Sequence, residues 1–376
     1  MKKLLKLLFI FYIISCFVNI TFAQNVNTDS SSTKLEALWY YTESPRSRES
    51  FFKHSEKIDI LGSQVYFLSF NGAVSGEVKA DILAESKKQN IKVMPLLANI
   101  VKTKNGEYFS QPIMNDFLEN TENWQKVSKF LKEKAIKNNY YGYQLDLENI
   151  NIKQKDNFIA FVEYLKKDFE KVNLKLSAAI VSKISDNPKD YKASYWNNWA
   201  AVYDYKKLGE ILDFVSVMAY DQPQSPGPVA TLDWSKKVMD YTITQISKEK
   251  VSFGIPTYSW VYRSEKLKNK KMHFKMVDYG LVNTWKAQEE KQKLIKLSAD
   301  GYKKAYANYW TTGSGINEKY GNISWLSYNL NGKNYTIWYE DKASFDKKYN
   351  QIKDVGIKSF SAWVLGDEDP KIWESL

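Results

Sequence analysis

The sequence of 376 residues contains few of the side chains on which thiol and metal chemistry depend. It has one cysteine, Cys16, and two histidines, His54 and His273. A single cysteine excludes an internal disulfide. One cysteine and two histidines are too few for a four-ligand His/Cys zinc site, and they leave no spare cysteine for a cysteine-histidine nucleophilic pair. Catalysis would therefore depend on carboxylates, tyrosines and amides, and we expect neither a metal ion nor another cofactor.

Long apolar runs are absent outside residues 1–23. This segment has a basic start, an apolar stretch and a small-x-small site at Thr21-Phe22-Ala23, which predicts a secretory signal peptide. Its apolar run is short for a membrane-spanning helix, so an anchor is the weaker alternative. Lipidation at Cys16 is a minority alternative, because it would leave Phe17 to Ala23 exposed. We therefore predict export to the periplasm or the extracellular space, with residues 24–34 as a linker.

The charge of the chain is basic, with 54 Lys and Arg against 43 Asp and Glu. The leader contains three lysines and no acids, so its removal lowers the formal charge from +11 to +8. An excess of positive charge favours binding to nucleic acid, to an acidic wall polymer or to a membrane surface. The lysines are spread along amphipathic segments, as at Lys129 and Lys132, which is typical of a solvated helix face. Together with export, this spacing argues against a nucleic-acid partner, and no mature segment predicts a membrane span.

Short apolar runs alternate with helical patterns along the mature chain. Runs such as 176–181 and 215–219 lack strict polar alternation, which is typical of strands buried on both faces of a parallel sheet. Eight such units favour an α/β fold of the closed (β/α)8 or TIM-barrel type over an open sheet. No Gly-x-Gly-x-x-Gly motif follows a strand, so a dinucleotide site has no support. The predicted strands are Leu35–Tyr41, Ile58–Ser69, Ile91–Ala98, Gly142–Glu148, Lys175–Val181, Phe214–Tyr220, Val251–Tyr258 and Ser359–Leu365.

One interval, residues 261–338, interrupts this alternation between strands seven and eight. It predicts a small α+β insertion over the C-terminal mouth of the barrel, and the barrel itself then comprises residues 35–260 and 339–376. An Asn331-Gly332 turn signal predicts a hairpin within the insertion. The elements expected there are helices Trp285–Lys296 and Gly301–Tyr309 and hairpin strands Ser324–Leu330 and Tyr335–Tyr339.

The most informative local pattern lies on predicted strand four. Alternation along a strand places Gln144, Asp146 and Glu148 on one face, toward the barrel interior. Two buried carboxylates at i and i+2 cannot both ionise easily, so one should have a raised pKa and could act as a general acid. Glu148 is nearer the C-terminal end, where barrel active sites form. The pattern alone fits an acidic surface strand equally well, since Asp-x-Glu is common by chance.

Three other strand ends contribute aromatic and carboxylate side chains to the same mouth. They are Met218-Ala219-Tyr220-Asp221, Tyr258 and Trp363, and Trp39 at the end of strand one is a weaker candidate. Sugars stack their C–H faces on aromatic rings and need polar partners for their hydroxyls, so this set suits a glycoside site. Taken singly, each of these aromatics suits core packing better than a sugar subsite. Trp196 and Trp199, in the loop after strand five, could extend the groove but fit core packing at least as well.

These motifs resemble glycoside hydrolase family 18, the chitinase-like family with the strand-four signature Asp-Gly-x-Asp-x-Asp-x-Glu. Gly142, Asp146 and Glu148 match this signature, Met218-x-Tyr220-Asp221 matches the strand-six motif, and Trp363 matches the strand-eight tryptophan. The resemblance covers nearly all of residues 35–376 and is greatest to bacterial cell-wall and spore-cortex glucosaminidases, through segments 203–215 and 337–344.

Two positions depart from the signature, since Tyr141 and Gln144 replace its first two aspartates. The series of buried carboxylates is thereby reduced to one aspartate beside the glutamate. Gln144 is expected to hydrogen-bond Asp146, so the departure affects the expected pH profile more than the expected activity.

The resemblance implies hydrolysis of a β-1,4 bond that follows N-acetylglucosamine, with retention assisted by the 2-acetamido group of the substrate. Glu148 would act as acid and then base, Asp146 would stabilise the oxazolinium-like intermediate, and Tyr220 would hydrogen-bond the acetamido oxygen. The substrate-binding residues would be Gln144, Met218, Asp221, Tyr258 and Trp363, with Trp39 less certain than the rest.

We expect a monomer that binds a polysaccharide or oligosaccharide containing N-acetylglucosamine. Peptidoglycan is the first expectation, chitin-type glycans the second, and the chitobiose core of N-glycans the third. The alternative from another functional class is a non-catalytic, lectin-like barrel. Such members of the family usually lose the acid, and Glu148 is present.

Overall fold

Eight parallel strands close on themselves at the centre of the molecule. The computed structural model describes residues 34–104, 106–223, 227–266, 272–279, 314–317, 323–330 and 333–376. The first barrel strand pairs with both the second and the eighth, so the sheet is closed. The (β/α)8 barrel expected from the sequence is therefore confirmed. In chain order, the barrel strands are Glu36–Tyr41, Ile60–Leu68, Leu96–Ala98, Gly142–Asp146, Lys175–Val181, Phe214–Met218, Val251–Pro256 and Ser359–Trp363.

Four of the eight barrel strands end two residues before the predicted boundary. Glu148, Tyr220 and Tyr258 all lie beyond the last paired residue of their strands. Their side chains therefore stand where the chain leaves the sheet, at the mouth of the barrel. The third strand is preceded by a separate short strand, Lys92–Val93, and Pro95 between the two has no N–H to donate to a ladder.

Helices connect the strands around the outside of the barrel. Two of them, Pro45–His54 and Gln111–Leu118, were not expected from the sequence, although each begins with a serine cap and a proline in its first turn. No helix in the described ranges combines the length and the apolarity that a membrane span requires. The remaining longer helices are Ala80–Lys88, Thr121–Asn138, Lys155–Glu170, Tyr205–Ile211, Leu232–Gln245 and Lys342–Val355.

A hairpin that the sequence analysis missed follows the third barrel strand. Its strands are Ile100–Thr103 and Gly106–Phe109, which pair antiparallel with Thr103 opposite Gly106. The sequence between them contains Asn105-Gly106, which is the same hairpin signal that identified the one in the insertion. Because barrel active sites are built from the loops after the strands, this hairpin is placed to contribute to one.

The insertion contains a five-stranded antiparallel sheet. Its first strand starts at Ser259, two residues ahead of the expected boundary, because the chain leaves the barrel directly after Pro256. The two expected hairpin strands are present and pair as far as Leu330 opposite Lys333. The expected helices Trp285–Lys296 and Gly301–Tyr309 lie outside the described residues. In spatial order, the strands are Met272–Tyr279, Ser259–Lys266, Lys333–Tyr339, Ile323–Leu330 and Ser314–Asn317.

A buried ion pair lies where the insertion returns to the barrel. Glu340 and Lys348 are 0% and 3% exposed, and the Lys348 Nζ lies 2.7 Å from a carboxylate oxygen of Glu340. We expect Lys348→Met to lower the free energy of unfolding by about 3–5 kcal/mol, because the Glu340 charge is left buried without its cationic partner. Lys236→Met, in the exposed pair with Asp240, should cost less than about 1 kcal/mol. Urea denaturation measures the free energy of unfolding of both variants. A similar small decrease in the two would contradict the prediction.

Candidate active site

A cavity of about 440 Å³ opens at the carboxyl ends of the barrel strands. Its size falls within the usual range of small-molecule sites. The lining combines acidic, aromatic and small apolar side chains from most of the barrel strands and from the hairpin after strand three. The lining residues are Tyr40, Gln64, Leu96, Ile100, Glu107, Tyr108, Phe109, Asp146, Glu148, Ala179, Val181, Ser182, Tyr195, Trp199, Met218, Tyr220, Asp221 and Trp363.

Two carboxylic acids, Asp146 and Glu148, share one hydrogen bond in this cavity. Asp146 is the last residue of its strand and is 4% exposed, while Glu148 is half-buried two residues further on. Burial and the neighbouring Asp146 charge raise the pKa of Glu148 well above its usual range. Burial also raises the pKa of Asp146, while hydrogen bonds from Gln64 and Glu148 oppose that rise. The arrangement therefore favours a proton on Glu148 and a negative charge on Asp146.

The side chains below Asp146 form an uncharged, hydrogen-bonded layer that fills the barrel. The Tyr40 hydroxyl donates to Gln144 Oε1 at 2.7 Å and lies 2.7 Å from Ser216 Oγ. Gln144 Nε2 donates in turn to Ser177 Oγ at 3.0 Å. The expected hydrogen bond from Gln144 to Asp146 was wrong, because Gln144 is one layer deeper and its amide is used within that layer. Gln64 from the second strand takes that role, with its Nε2 3.4 Å from Asp146 Oδ2.

Asp221 and its partners form the opposite wall. Asp221 follows the sixth strand with a left-handed φ of 54° and is exposed at the mouth. Its carboxylate accepts hydrogen bonds from the Tyr258 hydroxyl and the Trp260 side chain. Both donors are buried and belong to the segment that leaves the barrel for the insertion. Tyr258 therefore lies behind Asp221, outside the lining, and orients it, which differs from its expected role in contacting substrate.

Two further expected residues, Met218 and Trp363, do line the cavity, as does Tyr220. Met218 and Trp363 are half-buried, so each leaves part of its surface open to the cavity. The Trp363 ring packs against Tyr40, with ring centroids 5.2 Å apart. Tyr220 packs edge-to-face against Tyr258, at 6.3 Å and 78°. An indole ring, a thioether and a phenol thus line the same cavity as the carboxylic acid pair.

Trp39 was wrongly expected to line the pocket. It is fully buried on the outer face of the first strand, where it stacks on Trp373 with ring centroids 4.4 Å apart. Successive side chains of a strand point to opposite faces, so its neighbour Tyr40 points inward and lines the cavity instead.

Several lining residues were missed by the sequence analysis. Tyr108 and Phe109 come from the unexpected hairpin, and Tyr108 is 54% exposed. Phe109 packs edge-to-face against Trp199 at 6.4 Å, so the hairpin and the loop after strand five meet at the mouth. Trp199 lines the cavity, whereas Trp196 packs with Tyr191 away from the lining. The Asn105-Gly106 turn signal was the available indication of this wall.

The charged side chains among the lining residues are all acidic: Glu107, Asp146, Glu148 and Asp221. The basic balance of the whole chain is therefore not present in the described lining. Glu107 lies on the hairpin and is paired with Lys102 at 3.1 Å. Across the described residues, no three His, Cys, Asp or Glu side chains are grouped so that they could hold a metal ion.

Comparison with known families gives a match over most of the chain. The family model described as glycosyl hydrolases family 18 matches residues 36–369. The uncharacterized glycosylase YvbX of Bacillus subtilis is 24% identical over 341 residues, which is 90% of this chain and 89% of that protein. The cortical fragment-lytic enzyme of B. subtilis is 21% identical over 326 residues, covering 85% of this chain and 67% of that protein.

Solved structures show the same fold. The spore cortex-lytic enzyme SleL of Bacillus megaterium QM B1551 superposes with a TM-score of 0.72 at 21% identity, covering 91% of this chain and 73% of that one. A chitinase from Chromobacterium violaceum ATCC 12472 gives a TM-score of 0.70 at 20% identity, covering 91% of this chain and 98% of that one.

Proposed function

Because the chain belongs to glycosyl hydrolases family 18 and is a glycosidase, we propose that it hydrolyses β-1,4 bonds that follow N-acetylglucosamine, foremost in peptidoglycan glycan strands. The main support is the hydrogen-bonded Asp146 and Glu148 pair in a cavity lined with aromatic rings. A proton held on Glu148 and a charge held on Asp146 are the two states that glycoside cleavage with an internal nucleophile requires.

The proposed reaction proceeds in two steps with retention of configuration. In the first, Glu148 gives its proton to the glycosidic oxygen while the acetamido carbonyl oxygen attacks C1, and the C1–O bond to the leaving sugar breaks. Asp146 stabilises the positively charged oxazolinium ring, and Tyr220 donates a hydrogen bond to the acetamido group. In the second step, water attacks C1, Glu148 takes a proton from that water, and the ring opens to restore the acetamide.

The binding surface suits an uncharged amino sugar. Met218 and Trp363 offer apolar surface to a sugar face, and Asp221 offers a carboxylate to its hydroxyls and amide. Tyr108 and Trp199 extend the aromatic surface toward the mouth, where further sugars of a chain would lie. An acidic lining does not oppose N-acetylglucosamine, which has no charge.

The choice of peptidoglycan rests on the relatives. Proteins named cortical fragment-lytic enzyme and spore cortex-lytic enzyme align with most of this chain. Chitin-type glycans are the second candidate, favoured by the structural likeness to a chitinase. The chitobiose core of N-glycans is the third. We also propose that residues 1–23 direct export, which would bring the protein to an exported glycan.

A lectin-like barrel without catalysis is the alternative from another class. It is disfavoured by the retention of Glu148, and by the burial and neighbouring charge that raise the pKa of this carboxyl. A protein that only binds sugar has no need of a proton held in this way.

Mass spectrometry of the products from three substrates tests the proposal. Purified peptidoglycan, chitotetraose and a free N-glycan should be incubated with the protein at equal concentrations. We expect cleavage of peptidoglycan to fragments with N-acetylglucosamine at the new reducing end, faster than the release of products from the other two. Fragments ending in muramic acid would contradict the assigned bond. Binding without cleavage of any substrate would favour the lectin-like alternative.

A further inference from the structure

We infer that Asn99 is a positioning residue for Glu148, and that it fixes the proposed acid to the hairpin at the cavity mouth. This inference rests on the proposed function, because it concerns how the proposed acid is held. Asn99 itself does not line the cavity, and it follows the third barrel strand directly. Its side chain is fully buried.

The Asn99 side chain binds both backbone groups of Glu148. Its Oδ1 accepts from the Glu148 N–H at 2.9 Å, and its Nδ2 donates to the Glu148 carbonyl oxygen at 2.9 Å. The ladder between the third and fourth strands ends with Ala98 opposite Asp146. Beyond that point a side-chain amide takes the place of the next peptide group. Glu148 can therefore lie past the end of its strand, with its carboxyl in the cavity, and still have a backbone held on both sides.

The same amide also closes the base of the hairpin Ile100–Phe109. Asn99 Nδ2 donates to the Ser110 carbonyl oxygen at 3.1 Å, and the Ser110 N–H donates to the Asn99 carbonyl oxygen at 2.9 Å. A second link is given by Asn149 Nδ2, which donates to the Phe109 carbonyl oxygen at 2.9 Å. The hairpin that bears two cavity aromatics is thus joined to the Glu148 backbone through Asn99 and to the next residue through the Asn149 side chain.

This geometry matters because general acid catalysis is sensitive to small displacements. A shift of about 1 Å in a catalytic group can cost about 10²-fold in rate. Glu148 follows the strand with Asn149 next to it in a left-handed conformation, at φ 53°, so the regular sheet does not fix the path of the chain there. The Asn99 amide supplies the restraint that the ladder no longer gives.

The test compares two substrates that need the acid to different extents. For Asn99→Ala, kcat/KM should fall about 10²-fold on the natural glycan cleaved by the wild type, either peptidoglycan strands or chitotetraose. On 4-methylumbelliferyl chitobioside it should fall less than about tenfold, because a phenolate leaves with little help from an acid. KM should change little in both cases. Equal losses on the two substrates would overturn the inference.

Controls separate positioning from folding. Asn123→Ala also removes a buried asparagine side chain, here from the helix Thr121–Asn138, and should leave the ratio of the two substrates unchanged. If Asn99→Ala does not fold, Asn99→Gln keeps an amide but displaces it by one methylene, and the same unequal loss is expected. A wild-type protein that cleaves no substrate would refute the proposed function and this inference with it. An active wild type with unaltered Asn99 variants would refute the inference alone.

Discussion

Glu148→Gln should lower kcat/KM on the natural glycan by about 10²–10⁴-fold, which is the usual contribution of a general acid. Glutamine has nearly the same shape and keeps a hydrogen-bonding partner for Asp146, but it has no proton to give to the leaving oxygen. Initial rates measured by reducing-sugar release, at saturating and at low substrate, check the prediction.

The matched control for this variant is Glu133→Gln, on the exposed side of the helix Thr121–Asn138. It removes the same charge far from the cavity and should leave the rate within about twofold, as exposed charges contribute little. The melting temperature of Glu148→Gln should not fall below that of the wild type, because burial opposes ionisation of the carboxyl that it removes. A folded Glu148→Gln protein with a rate within a few fold of wild type would show that another group supplies the proton.

Asp146→Asn should lower kcat/KM by about 10²–10³-fold, the usual effect of removing one group that stabilises charge in the transition state. It should also move the alkaline limb of the pH profile to lower pH. Glu148 must be protonated to act, so the wild-type rate falls as pH rises through its raised pKa. The Asp146 charge contributes to that raised pKa, and without it the pKa of Glu148 falls.

The dependence of kcat/KM on pH, measured for both proteins, checks this prediction. Calorimetric titration with chitotetraose should show binding within a few fold of wild type, because Met218 and Trp363 remain in place. An alkaline limb at the same pH in both proteins would mean that Asp146 does not influence the ionisation of Glu148. Loss of binding would instead assign Asp146 a role in holding the sugar.

The carboxylic acid pair could be predicted from the sequence because side chains alternate regularly between the two faces of a strand. Asp146 and Glu148 were placed on the inner face by counting, and both line the cavity. The same count places Trp39 on the outer face and Tyr40 on the inner one, so a stricter use of alternation would have found Tyr40.

Contacts between parts of the chain that are distant in sequence could not be predicted. The hydrogen bonds of Gln144 depend on which side chains three other strands bring into the same layer, and no local pattern specifies that layer. No sequence pattern indicated a role for Asn99, because that role appears only when the ends of two neighbouring strands are compared in the structure. Tyr141, where the family signature has its first aspartate, lies outside the cavity lining, with Lys92 Nζ 5.3 Å from its ring centroid. That departure therefore lies away from the candidate site.

The uncharged layer under Asp146 has a consequence for proton exchange. Gln144, Ser177 and Ser216 do not titrate near neutral pH, and burial raises the pKa of Tyr40 further above its usual value. No group in that layer can take a proton from Asp146 or return one to it near neutral pH. Glu148 must then recover its proton from the attacking water in the second step, and that water enters through the open mouth. The leaving sugar therefore has to vacate the mouth before water can enter, so its departure precedes recovery of the acid.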